Sequence, residues 1–277
     1  VIVGIVDDSV QIGHPDLSPN HSAPDSWDFG QSDADPSPVH SDDDHGTAVS
    51  GVAVPRGGNG VGVTGAAPHA SLAGLRLDFH ALTVGMIAAA DEHRSSGATT
   101  TIKLKNHSYG IGGPYVTVAA EAAALANSAS AGTIHVYAAG NSRGASDEDT
   151  GKWHAQSNPN VINVAALAAR GTFSDYSSFG ACVFVTSPSN GYIDFVPSGY
   201  AGISTTDRTG ASGYNSPFDN NYTNSFGGTS SASPLAAGVL ALLKHRIPGL
   251  NVRYAKHMLA RHSERVDLAD ATPTSDG

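Results

Sequence analysis

The chain has 277 residues, with 25 acidic and 15 basic side chains and a formal net charge of −10. This acidic balance, without a run of Lys or Arg, argues against a nucleic-acid-binding protein. No stretch of about 20 apolar residues is present, so the sequence contains no membrane-spanning helix, and its single cysteine, Cys182, excludes an intrachain disulfide.

Short apolar runs alternate along the chain with longer helix-forming stretches. The runs are rich in β-branched residues, which is typical of strands buried on both faces of a parallel sheet. We predict strands at residues 1–6, 71–77, 102–108, 134–139, 161–166 and 182–186, and helices at 45–54, 82–94, 114–131, 230–245 and 252–262. This alternation indicates an α/β fold with a mostly parallel sheet and helices on both faces.

The first predicted strand ends at two adjacent aspartates, Asp7 and Asp8. A carboxylate at that point lies at the carboxyl edge of the sheet, where open α/β sheets place their sites. Aspartate is also common at strand ends because it favours turns. Considered alone, the pair therefore leaves a structural role open.

Two predicted helices begin with side chains that can take part in catalysis. His45 follows an acidic cap at residues 41–44, and Ser230 begins the clearest helix of the chain. A helix N-terminus has unpaired N–H groups and a positive dipole end, which suit an oxyanion. Taken singly, such a histidine is more often structural and such a serine is more often an N-cap. Together with an aspartate they meet the needs of nucleophilic catalysis, in the chain order Asp, His, Ser that is known from subtilisin.

The chain resembles the subtilase superfamily of serine proteases, and it leans toward the kexin/furin branch. The resemblance extends from residue 1 to about residue 262 and depends on five motifs. They are Val-Asp-Asp-Ser at 6–9, His-Pro-Asp-Leu at 14–17, His-Gly-Thr at 45–47, Ala-Gly-Asn at 139–141 and Gly-Thr-Ser-Ser-Ala-Ser-Pro at 228–234. Any one of them could occur by chance, but all five in order favour membership.

The resemblance implies a subtilisin-like three-layer fold and a serine endopeptidase that works through an acyl-enzyme. Ser230 would be the nucleophile, His45 the general base and then the acid, and Asp7 the carboxylate that orients His45. Asp8 is the rival for that last role. Asn141 would stabilise the oxyanion together with the N–H of Ser230. The implied protein acts on polypeptide substrates, is secreted as a zymogen with an N-terminal propeptide, and has its catalytic domain at residues 1–265, followed by a tail or linker at 266–277.

Substrate-binding residues also follow from the resemblance. They are Asp8, Asp78, Ser108, Tyr109, Gly110, Ala139 and Gly140. In the kexin-like branch an acidic residue follows the Ser-aromatic-Gly segment and selects arginine in the first pocket, whereas no carboxylate follows Gly110 here. Asp8 and Asp78 would instead flank the second pocket and favour a basic side chain, and Asp147 or Asp149 could serve the first pocket. Turn residues at strand ends are the alternative interpretation of Asp8 and Asp78.

The pattern G-x-G-x-x-G occurs at residues 60–65, but it follows a helix and precedes a strand, so it does not predict a dinucleotide site. The stretch at residues 59–68 resembles the subtilase loop that binds a structural Ca²⁺, which prefers six to eight oxygen ligands. By resemblance the ligands are the side chains of Asp16 and Asn59 and the carbonyls of Gly57, Val61 and Val63. A plain glycine-rich loop is the alternative interpretation of this stretch.

The acidic residues 147–149 have three interpretations: a second calcium site, part of a subsite, or a solvated acidic loop.

Other functions remain open on the same residues. A catalytically silent binding module would keep the four residues without turnover, and an esterase or peptide ligase would use them for acyl transfer to another nucleophile. A broad-specificity subtilisin-like protease is the alternative to a kexin-like enzyme.

Overall fold

The apolar run that begins the chain is an interior strand of the main sheet. The structure, a computed structural model, describes residues 1–110, 113–192, 195–196, 199–200, 202–215, 220–268 and 270. Its strands are β1 (Ile2–Asp7), β2 (Trp27–Asp28), β3 (Ser71–Arg76), β4 (Ser95–Ser96), β5 (Thr99–Thr100), β6 (Ile102–His107), β7 (Ile134–Ala138), β8 (Val161–Leu167), β9 (Val183–Pro188), β10 (Phe195–Val196), β11 (Gly199–Tyr200), β12 (Ile203–Thr206) and β13 (Tyr222–Phe226). Its α-helices are α1 (His45–Ala53), α2 (Val84–Glu92), α3 (Ala119–Ser130), α4 (Thr229–Arg246) and α5 (Val252–His262).

Seven strands form one parallel sheet in the order β2-β3-β1-β6-β7-β8-β9. Strand β1 pairs with β3 on one side and β6 on the other, and Val3, Ile5 and Val6 have no exposed surface. Small antiparallel pairs, β4/β5, β10/β11 and β12/β13, lie outside this sheet. Because all seven strands run in one direction, their carboxyl ends meet at a single edge.

Helices cover both faces of the sheet. One face packs against α1, α4 and α5, whose apolar residues share a core with β1, β7 and β8. The opposite face packs against α2 and α3, which also contact each other. The predicted fold class, a mostly parallel sheet with helices on both faces, is confirmed. All six predicted strands and all five predicted helices are present, with ends that differ by a few residues.

The largest difference is at the third helix, which begins at Ala119 instead of residue 114. Tyr115 has a φ of 64°, which a right-handed helix cannot contain, and the β-branched Val116 and Val118 precede the first turn. The two-residue edge strand β2 was not predicted because it is too short to show periodicity. Of the tail predicted at 266–277, residues 269 and 271–277 lie outside the described residues.

A buried arginine at the end of β3 fixes the loop that leads into α1. The guanidinium of Arg76, with no exposed side-chain surface, pairs with Asp28 and with Asp43, both at 3.0 Å. The carboxylate of Asp43 also accepts the N–H groups of Val39 and His40, at 2.9 Å each. The ion pairs therefore position the residues immediately before His45.

Candidate active site

Asp7 and His45 are in direct contact at the carboxyl edge of the sheet. Asp7 ends β1 with no exposed surface, and its Oδ1 lies 2.8 Å from Nδ1 of His45, the first residue of α1. A carboxylate at Nδ1 holds the ring proton on that nitrogen and leaves Nε2 with its lone pair. The ring of His45 packs edge-on against Phe226, with centroids 5.7 Å apart. The imidazole is thus fixed in one orientation from both sides.

Asp8 contacts the backbone of α1 instead of the imidazole. Its Oδ2 accepts the N–H of His45 at 2.9 Å, and its Oδ1 accepts the N–H of Gly46 at 2.8 Å. These are two of the unpaired donors at the start of α1, so Asp8 caps this helix from a neighbouring strand. Gly46 is required for the approach, because a Cβ there would lie 2.0 Å from the carbonyl oxygen of Ser9.

The acidic surroundings change the proton affinity of this pair. Burial by itself lowers the pKa of His45, but the charge and hydrogen bond of Asp7, supported by Asp8 and Asp44, outweigh burial and raise the pKa to about 9. Burial, followed by the charge of Asp7, raises the pKa of Asp8 to about 7. An imidazole between these carboxylates is a stronger base than a free histidine.

Ser230 lies in the first turn of α4, beside the amide of Asn141. The Oδ1 of Asn141 accepts the N–H and the hydroxyl of Thr229, at 2.8 and 3.0 Å. This assignment leaves the donor group Nδ2 free to face the space before Ser230. Gly228 has a φ of 74° and passes so close that a Cβ would lie 3.2 Å from that Nδ2. In this structure the hydroxyl of Ser230 donates to the carbonyl of Ser108 at 3.1 Å, and not to His45.

Two cavities meet at Ser230 and Asn141. One, of about 220 Å³, is lined by Ser108, Tyr109, Gly110, Ala138, Ala139, Gly140, Ser142, Asp147, Trp153, Gln156 and Thr229 in addition to the shared pair. The other, of about 360 Å³, is lined by His45, Tyr176, Asn190, Tyr192, Tyr214, Ser225, Phe226, Gly227 and Gly228 as well. Five of the residues that the sequence placed in substrate binding, Ser108, Tyr109, Gly110, Ala139 and Gly140, thus line the first cavity.

Apart from His45, Asn141 and Ser230, the sequence did not identify the residues that line the second cavity, nor did it identify Trp153. Tyr176, Asn190, Tyr192 and Tyr214 come from irregular segments between strands, where no periodicity marks them. For Tyr192 and Tyr214 the one available signal was the density of Tyr and Asn between residues 191 and 228.

The acidic residues proposed for specificity fall in different places. Asp147 lines the 220 Å³ cavity and accepts the hydroxyl of Ser142 at 3.3 Å. Asp149 instead caps a short 3₁₀ helix by accepting the N–H of Gly151 at 2.8 Å. Asp78 is half-buried and lies 3.4 Å from Nε2 of His40. Both oxygens of Asp8 accept N–H groups at the start of α1.

The loop predicted to bind calcium surrounds a buried carboxylate. Asp16 has no exposed surface, and its oxygens accept Nδ2 of Asn59 at 3.1 Å and the N–H of Val63 at 2.8 Å. The Oδ1 of Asn59 accepts the N–H of Val61 at 3.1 Å. Hydrogen bonds therefore connect four of the five residues expected from the sequence, Asp16, Asn59, Val61 and Val63. In this structure, however, Asn59 donates to Asp16 through its amide nitrogen, so its amide oxygen does not face Asp16.

Comparison with known proteins identifies the family. A family model for the subtilases matches residues 1–275. The chain is 34% identical over 303 residues to the calcium-dependent protease of Trichormus variabilis, covering 100% of this chain and 43% of that protein. It is 32% identical over 277 residues to the dibasic-processing endoprotease of Schizosaccharomyces pombe, covering 93% of this chain and 34% of that protein. The chain belongs to the subtilase family, as the sequence motifs predicted.

A solved structure supports the same conclusion at the level of the fold. The Aeromonas sobria serine protease, crystallised with its chaperone, superimposes with a TM-score of 0.86 at 28% identity, covering 99% of this chain and 51% of that one. The chain thus spans about half or less of the length of the relatives that it matches. Within the described residues, no helix combines the length and the apolar character needed to cross a membrane.

Proposed function

We propose that this chain is the catalytic part of a serine endopeptidase that uses Asp7, His45 and Ser230. The observation that carries the proposal is the 2.8 Å contact between Asp7 and Nδ1 of His45. It leaves Nε2 as a base at the cavity that His45 and Ser230 line together. The family match over residues 1–275 supports the same reaction.

In this proposal the hydroxyl of Ser230 leaves the carbonyl of Ser108 and turns toward Nε2 of His45, which accepts its proton. The freed Oγ attacks the carbonyl carbon of the scissile peptide. The oxyanion that forms is held by Nδ2 of Asn141 and the N–H of Ser230 in the first turn of α4. His45 then donates its proton to the leaving amine, and water repeats the sequence on the acyl-enzyme.

Active-site labelling and variants test the mechanism. A serine-directed phosphonate should form one adduct per chain, on Ser230, and Ser230→Ala should prevent it. Ser230→Ala and His45→Ala should each lower kcat by roughly 10⁴–10⁶-fold, and Asn141→Ala by roughly 10²–10³-fold. Asp7→Asn should lower kcat roughly 10⁴-fold, because the amide would hold the imidazole of His45 in the wrong tautomer.

Three results would contradict these assignments. A wild-type chain that resists the phosphonate would be a binding module. Full activity of Asp7→Asn with loss of activity in Asp8→Asn would exchange their roles. Ester or ligation products without peptide hydrolysis would change the reaction class.

We infer further that a basic residue before the cut is preferred. Asp147 supplies a carboxylate to the 220 Å³ cavity next to Ser230. For the second position before the cut we propose Asp78, which follows the end of β3. Similarity to a dibasic-processing endoprotease agrees with this preference. Because these carboxylates are partly exposed, the ion pairs should be modest and should weaken with salt.

Matched peptides test the preference position by position. Lys or Arg in place of Ala at the first position should raise kcat/KM, and Asp147→Asn should remove the gain, whereas Asp149→Asn should preserve it. At the second position the gain should depend on Asp78. Equal kcat/KM for Lys and Ala at both positions would indicate a broad-specificity protease.

We propose that Asp16 and the loop at 57–63 bind Ca²⁺. The donors are all oxygens, as calcium requires: one buried carboxylate, the amide of Asn59 and the carbonyls of Gly57, Val61 and Val63. The amide of Asn59 would have to turn so that its oxygen faces the ion. A calcium-dependent protease among the relatives supports the assignment.

We also propose that the enzyme is secreted as a precursor with a propeptide that is later removed. The low share of charged residues, 14%, is compatible with an extracellular protein. Sequencing the N-terminus of the protein from the culture medium and from cells tests this: one cell-associated form of constant length would contradict it.

A further inference from the structure

Three ionisable side chains converge on the face of the sheet opposite to α4. They are Asp91 near the end of α2, His107 at the end of β6 and His135 on β7, and none has any exposed surface. Nε2 of His107 lies 3.0 Å from Nδ1 of His135 and 3.8 Å from Oδ1 of Asp91. One potential ligand atom from each residue falls within 4.8 Å of the others.

A chain of hydrogen bonds fixes the tautomer of His135. Ser95 accepts from the ammonium of Lys105 at 2.7 Å and donates its only hydroxyl proton to the carbonyl of Asp91 at 2.7 Å. The bond between Ser95 and Ser128 therefore has Ser128 as its donor, at 2.9 Å. The oxygen of Ser128 must then accept from Nε2 of His135, at 2.8 Å. His135 consequently directs the lone pair of Nδ1 at His107.

His107 cannot satisfy all the acceptors that face it. Its Nδ1 contacts the hydroxyl of Tyr109 at 3.1 Å, and its Nε2 faces both Nδ1 of His135 and the carboxylate of Asp91. One proton on Nε2 serves at most one of them. In the described part of the chain neither oxygen of Asp91 has a hydrogen-bond partner. A fully buried carboxylate in that state is costly unless a cation binds it.

We propose that Asp91, His107 and His135 bind a divalent transition-metal ion, with zinc as the best match. Two imidazole nitrogens and a carboxylate are typical zinc ligands. In tetrahedral geometry two such nitrogens lie about 3.3 Å apart, so their present separation of 3.0 Å needs little adjustment. Among the described residues, neither oxygen of Asp91 has a hydrogen-bond partner. Both can therefore bind the ion, and together with the two imidazole nitrogens they give four ligand atoms.

The hydrogen bonds of the two imidazole nitrogens that would not bind the metal also suit such a site. A histidine that binds metal through one nitrogen usually donates the other N–H to an oxygen. Nε2 of His135 has the hydroxyl of Ser128 as acceptor, and Nδ1 of His107 has the hydroxyl of Tyr109.

The competing arrangement is a metal-free polar network in which Lys105 balances Asp91 from a distance. Metal content separates the two, and the Ser230→Ala chain is suitable because it cannot digest itself. After refolding with a chelator and dialysis against Zn²⁺, elemental analysis should give one zinc per chain. Refolding with Co²⁺ should give the visible d–d absorption of a tetrahedral site, and zinc should displace it.

Variants in the same background assign the signal to these residues. Asp91→Asn and His135→Gln should each weaken zinc binding by at least tenfold. His80→Gln, which alters a separate group of possible ligands made of Asp42, Asp43 and His80, should retain one zinc. Asp16→Asn, in the calcium loop, should retain it too. Less than about a tenth of an ion per wild-type site, or a full ion in both buried variants, would overturn the proposal. The wild-type stoichiometry and cobalt spectrum decide it even if a buried variant does not fold.

Discussion

The hydroxyls of Ser108 and Ser230 each donate to the backbone carbonyl of the other residue, both at 3.1 Å. The first of these bonds compensates for a proline. Pro234 lies four residues after Ser230 in α4 and has no N–H, so the carbonyl of Ser230 has no donor within the helix. Ser108 supplies the missing donor from the segment after β6. The helix turn that contains Ser230 is thus tied directly to the edge of the sheet.

Ser108→Ala should therefore destabilise the fold. The substitution leaves the carbonyl of Ser230 without its donor, and the loss should cost about 1–3 kcal/mol of unfolding free energy. Denaturant titration in the Ser230→Ala background measures the difference. Ser212→Ala, at an exposed position, is the control and should change stability by less than about 0.5 kcal/mol. Equal stability of the two variants would show that the bond contributes nothing.

The pH dependence of activity should reflect the raised pKa of His45. A general base acts only when neutral, so kcat/KM should increase with pH and reach half its limit near the pKa of about 9. Asp8→Asn removes one of the negative charges that raise this pKa, so its profile should shift to lower pH. Initial rates on one neutral peptide across the pH range test both statements. A midpoint near 6.5 in the wild type would contradict the electrostatic account.

Calcium should stabilise the fold through Asp16. An ion that binds only the native state adds about 2.7 kcal/mol when present at a hundredfold excess over Kd. Excess chelator should therefore lower the Tm of the Ser230→Ala chain, and Asp16→Asn should remove the dependence on calcium. Glu264→Gln, an exposed acidic position, should preserve it. The assignment fails if calcium shifts the Tm of Asp16→Asn as much as that of the parent.

Arg76→Met should be among the most destabilising single changes. It leaves the carboxylates of Asp28 and Asp43 buried without their cation, which typically costs about 3–5 kcal/mol. Arg253→Met, at an exposed position, is the matched control. Thermal and urea unfolding of both variants measure the effect, and a loss below about 1 kcal/mol for Arg76→Met would show that the pairs merely compensate for their own desolvation.

The sequence predicted the candidate catalytic residues best, because they lie at the ends of strands and helices that the sequence pattern locates. Asp7, His45, Asn141 and Ser230 lie at strand and helix ends that periodicity could locate, so their convergence at one sheet edge was predictable. The sequence could not show that Asp8 caps α1. Asp7 and Asp8 have the same side chain, and only the folded chain determines which group each carboxylate contacts. The grouping of Asp91 with His135 was not predictable either, since these residues are more than 40 positions apart in the sequence and only the folded chain brings them together.

Asp7 and Ser230 are more than 220 residues apart in the sequence. This separation determines when, during synthesis, the proposed catalytic site can form. A ribosome completes β1 and α1 long before it reaches α4. In the proposed mechanism a chain that ends before α4 lacks the nucleophile Ser230, and contacts between residues so far apart in the sequence form slowly. On that mechanism the chain cannot cleave nearby nascent proteins until α4 has been made and has packed against α1.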